Sequence, residues 1–139
     1  MFKKLLLVLV LISTPVFAEN SPEYNLAVIN AGGHVKENDI TIARFRSLLN
    51  QLTVTYVEND KKIADMSVHL QQQLKNEGIN ESLINIMEGM NLIFVKNLKN
   101  QSYAEYAAAY QLLRTKGMGH DEAIRGLRGL IGGLSQFSK

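Results

Sequence analysis

Three histidines, His34, His69 and His120, are the first side chains to ask about chemistry, because neutral imidazole is a common ligand for metal and a ready proton carrier. None stands four residues from another, the spacing that sets two ligands on one helix face, and none lies in an H-E-x-x-H pattern. The carboxylates Glu37, Asp39, Glu58, Asp60 and Asp65 alternate with Lys36, Arg44, Lys61 and Lys62, the arrangement of a solvated helix face rather than a paired acid. With no cysteine and no serine or threonine in a nucleophile motif, the sequence offers no catalytic, metal-ligating or cofactor-binding residues. The reading favours a non-enzymatic protein without a cofactor, and leaves open an active site that only folding would assemble.

Two other groups are better placed to bind than to react. Tyr103, Tyr106 and Tyr110 fall on one helix face among Ala104, Ala107, Ala108 and Ala109. Small alanines let a neighbouring helix approach, while the rings supply area and a polar tip for packing or for a partner surface. The second group is Gly117-Met118-Gly119-His120-Asp121-Glu122-Ala123-Ile124, preceded by Leu112-Leu113. This pattern resembles the helix-hairpin-helix motif over about a dozen residues. The resemblance implies a hairpin at 113–127 whose backbone amides, with the next helix start, hold a DNA phosphate. Gly117 and Gly119 would form that turn, and Arg125 and Arg128 are the nearest basic side chains. Lys116 stands where proline is common in that motif, and Asp121-Glu122 puts two negative charges beside the phosphate position. Non-specific DNA binding is therefore the alternative function rather than the leading one.

The elements that would carry these groups follow from export and periodicity. Phe2-Lys3-Lys4, the apolar run Leu5 to Ile12, and Val16 and Ala18 two apart make residues 1–18 a cleaved secretory signal peptide of bacterial style. No later stretch is apolar enough for a transmembrane anchor, so the expected product is periplasmic or secreted. Cleavage removes Lys3 and Lys4 from the 15 basic residues, which then match the 13 acidic ones. A neutral chain gives no global attraction to nucleic acid or an anionic membrane.

Residues 19–37 read as an extended arm or short strand, with Tyr24 to Asn30 the strand-like stretch and Gly32-Gly33 ending it. Residues 38–139 read as one helical domain. Between Gly33 and Gly78 lie 44 residues without glycine or proline, and Ile42, Phe45, Leu49, Leu52 and Tyr56 recur at spacings of three and four. Ile63, Met66 and Leu70 keep the register. This predicts a long first helical segment from about Asn38 to Glu77, continuous by preference, with Asn59-Asp60 the place for any restart. Shorter helices follow, one started by Asn80, one by Ser102 with Glu105 in a capping box, and one by Asp121.

The predicted fold is all-α, four to five helices in a small antiparallel bundle or helical-hairpin assembly. The predicted function is contact between helices and another envelope protein, or self-association as a homodimer. Its candidate surface is Ile42, Phe45, Leu49, Leu52 and Tyr56 together with the three tyrosines.

Overall fold

The computed structural model describes residues 21–94 and 98–136, the side chains of 133–136 excepted. The proposed signal peptide therefore lies outside the described residues. The described chain is all-helical: α1 (Pro22–Ala31), α2 (Ile40–Thr55), α3 (Asp60–Asn76), α4 (Leu83–Leu92), α5 (Tyr103–Thr115) and α6 (His120–Gln136). Six helices replace the four or five expected.

The extra element at the start is α1, where the sequence suggested an arm or strand. Ser21 caps it by accepting from the Tyr24 amide, Pro22 occupies the first turn, and Gly32 ends it at φ 75°. These are start and stop signals of a helix, and they outweigh the β-branched Val28 and Ile29. Leu26 and Ala27 bury its inner face.

The second correction is that residues 38–77 form two helices, not one. No turn residue breaks them; a distant segment does. At Tyr56 the backbone becomes extended, and a parallel bridge joins Tyr56 to Gln101. Val57 N–H donates to Gln101 O at 2.9 Å, and Gln101 N–H donates to Thr55 O at 3.0 Å. Glu58 then accepts from the amides of Tyr103 and Ala104 at 2.9 and 3.3 Å. A carboxylate on the first turn of α5 satisfies orphan donors and meets the positive end of its dipole. The helix is traded for bonds that start another helix. Asn59 caps the restart by accepting from Lys62 N at 2.8 Å.

Gly78 takes φ 81° after α3, and Ile79 N–H reaches back to Leu74 O at 2.9 Å, a left-handed stop that glycine adopts readily. Ser102 caps α5 by accepting from Glu105 N at 3.2 Å. Ser82 rather than Asn80 caps α4, by accepting from Asn85 N at 3.1 Å, and α6 begins at His120, one residue before the expected Asp121.

The core gathers residues from all six helices. The T-shaped ring pair of Tyr56 and Tyr103, centroids 4.9 Å apart, packs where the α2–α3 break meets α5. Edge-on rings of this kind align their quadrupoles favourably. The hydroxyls are satisfied: Tyr56 donates to Met90 O at 2.7 Å, and Tyr103 meets Ser67 Oγ at 2.6 Å. Since Ser67 Oγ donates to Ile63 O, Tyr103 must be the donor in that pair. Burial pushes both phenols well above their ordinary range.

Candidate functional site

The residues nominated as an interaction surface point inward instead. Ile42, Phe45, Leu49, Leu52, Tyr56, Tyr103 and Tyr110 are all buried within one chain, and Tyr106 is half-buried. The break at 56–59 explains this. It lets α2 and α3 pack on one another and on α4, so a stripe that looked like a seam between chains closes inside one. Covering those side chains needs no partner.

The glycine turn is an α5–α6 hairpin of ordinary kind. Gly117 sits at φ 99°, and the amides of Gly117 and Met118 donate to Arg114 O and Leu113 O, both at 3.1 Å. The turn's amides are thus used to end α5. Arg128 donates through Nε at 3.0 Å, and through Nη2, to Leu92 O, the carbonyl end of α4. That is a favourable place for a cation, and it ties Arg128 to the fold. Arg125 is exposed, while Asp121 and Glu122 occupy the first turn of α6. The structure does not assemble a basic face around this hairpin.

What sequence reasoning missed is a buried polar cluster from three elements. Arg114 Nη1 lies 2.8 Å from Glu81 Oε2, with side chains only 10% and 11% exposed. The same Nη1 donates to Tyr110 Oη at 2.6 Å, and Tyr110 Oη lies 2.7 Å from His120 Nδ1. Arginine can only donate, so Tyr110 accepts from it, while the Tyr110–His120 bond runs in the direction that the protonation of the imidazole sets. Glu81 is held further by Asn85, whose amide donates to Oε1 at 2.8 Å, and by Gln71, which donates to its backbone carbonyl at 2.9 Å.

Burial of Glu81 opposes its charge, but the bonds from Asn85 and Arg114 and the nearby His120 and Arg114 prevail and lower its pKa below the ordinary value. Burial pushes Tyr110 up to about 12 despite the opposing Arg114 bond. The Arg114–Glu81 pair spans 33 residues and the Tyr110–His120 bond crosses from α5 to α6, so the cluster locks the 79–82 segment, α5 and the start of α6 together.

Gly89 provides the seat for this lock. A Cβ there would stand 2.8 Å from His120 Cε1 and 2.8 Å from Ile124 Cδ1. Only the missing side chain lets the imidazole lie against α4. His34 and His69 are exposed and remote from it, and among the described residues no group of His, Cys, Asp or Glu is arranged to hold a metal ion.

A groove of about 310 Å³ lies between α1 and α3, with Leu26, Ile29, Ala64 and Val68 forming its apolar lining and Lys61 and Asp65 among its polar residues. Ile29 also lines a second concavity of about 460 Å³, which continues past Gln71 and Lys75 to the 79–82 segment. The groove was invisible in the sequence because α1 was not read as a helix.

Residues 34–130 match the family model MoxZ, and the chain belongs to that family. The match takes in the polar cluster and its glycine seat but not α1. No curated protein and no solved structure matches the chain.

Proposed function

We propose that this member of the MoxZ family is an exported, non-enzymatic helical protein that works by helix contact with another protein of the cell envelope. The family name points to a methanol oxidation system, whose place is the periplasm, and no described helix is long and apolar enough to cross a membrane. The observation that carries the reading is the apolar α1–α3 groove, with Ile29 45% exposed on a chain whose core already closes on itself. A continuous apolar concavity is where a soluble partner gains most from desolvation. The polar cluster supports the same reading, because its groups are engaged with one another in holding the fold.

Crosslinking in intact cells, followed by identification of the bound protein, tests this. The reading expects a reproducible envelope partner and a chain beginning near Glu19. A chain that forms no crosslink at any surface position, or that keeps residues 1–18 and remains in the membrane, refutes it.

A further inference from the structure

The α1–α3 groove has a length and a charge pattern that specify an occupant. On α3, Lys61, Ala64, Asp65, Val68, Gln71 and Lys75 line it in succession, at the three- and four-residue spacing of one helix face. From Lys61 to Lys75 that face runs roughly 21 Å, about four helical turns. The two concavities meet at Ile29; the first has an apolar floor, and the second adds Ile79 among the polar side chains of Gln71, Lys75, Asn80, Glu81 and Ser82. Among the described residues no ion pair engages Lys61, Asp65 or Lys75.

Resting on the partner-binding reading above, we propose that this groove receives a single amphipathic helix of about four turns from another protein. Its apolar stripe lies on Ile29 and Val68, above the buried Leu26 and Ala64, and its carboxylates near both ends meet Lys61 and Lys75. A helix laid between two helices buries anchors at i, i+3, i+4 and i+7, the repeat this floor presents. Lysines at both ends choose an acidic helix, and Asp65 between them disfavours a third carboxylate at the centre. A second copy of this chain is a poor occupant. Placed groove to groove in a two-fold dimer, the lysine ends of one copy meet lysine ends of the other, whichever way the helices run.

The test places a photo-crosslinking residue at Ile29 or Val68 in the groove, and at Leu112 or Leu130 on other faces, in the full chain inside its host cell. Mass spectrometry then maps the attached peptide. The groove positions should capture a segment with apolar residues at helical spacing and Asp or Glu near both ends. That segment, synthesised, should bind the purified protein, and Lys61→Glu with Lys75→Glu should weaken it roughly tenfold while leaving the melting temperature unchanged. Capture only from Leu112 or Leu130 overturns the groove proposal but leaves partner binding standing, whereas capture from no position overturns both. Attachment to residues 1–20 of the same chain, to a second copy, or to a segment without acidic ends also overturns it. So does an affinity indifferent to the charge reversal.

Discussion

Replacing Gly89 by alanine sets two ordinary effects against each other, and the structure decides the sign. Glycine inside a helix costs about 1 kcal/mol relative to alanine, so propensity alone predicts a more stable protein. Gly89 lies in the middle of α4 and has no positive φ that would penalise a side chain. Space is the opposing term. The added Cβ would lie 2.8 Å from His120 Cε1, 2.8 Å from Ile124 Cδ1 and 3.1 Å from Ile124 Cγ1, well inside carbon contact distance.

Ile124 can turn its terminal methyl, but the imidazole is held by Tyr110 and cannot withdraw without stretching that bond. Overpacking of this kind costs roughly 1–3 kcal/mol, and a weakened hydrogen bond adds about 1 kcal/mol. The expected result is a net loss of about 1–3 kcal/mol, read as a lower urea midpoint with unchanged slope. In an Ile124→Val background, where Cδ1 is gone, the same substitution should cost less, and the cycle should show that coupling. A Gly89→Ala protein stabilised by about 1 kcal/mol would refute the account of the His120 seat.

Leu52 is fully buried, so Leu52→Ala should lose roughly 2–5 kcal/mol in urea unfolding. Glu58→Ala strips the acceptor from the Tyr103 and Ala104 amides and should cost about 1–2 kcal/mol, with Glu58→Gln intermediate. Arg114→Met leaves Glu81 buried without its cation and should cost roughly 3–5 kcal/mol, much of it recovered when Glu81→Gln is added. Because the folded pKa of Glu81 is lowered, its contribution is complete above the unfolded carboxylate value and is lost as pH falls through the folded one. Glu81→Gln should therefore flatten the acid limb of the stability profile. Finally, replacing Val57, Glu58 and Asn59 together by alanine favours a continuous α2–α3 helix. Light scattering should then show a concentration-dependent, domain-swapped dimer, and a strict monomer would count against the tertiary origin of the break.

The legible parts of the fold were those whose causes lie within a few residues. Asn59, Gly78 and Ser102 act at the ends where side-chain type and spacing placed them, because a cap bonds an amide two or three positions away. The break at 56–59 was not legible, since its cause is Gln101 and the start of α5, more than forty residues on. The apolar spacing even runs through it in register. The α1 signals were present in Ser21, Pro22 and Gly32, but a ten-residue helix offers too short a pattern to outweigh β-branched neighbours. In the polar cluster Tyr110 and Arg114 stand four apart, as do Glu81 and Asn85. Glu81 and His120 join them through packing, and Gly89 looks like a weak point in a helix until its neighbour across the interface is known.

The misplaced interaction surface has the same origin. A stripe at three- and four-residue spacing says that a helix buries one face; it does not say whether the cover comes from the same chain. Here the answer turns on Tyr56 to Asn59. With an unbroken helix, Ile42 to Leu70 would run along one rod and require an outside partner. With the break, α2 and α3 cover each other, and the bonds lost at the break are replaced by those to Gln101, Tyr103 and Ala104. On the reading proposed above, the partner's place moves from that stripe to the seam that α1 forms with α3. There Ile29 remains open and the lysines at either end remain unpaired, which makes the outer face of α3, not its inner one, the place to look for the protein's function.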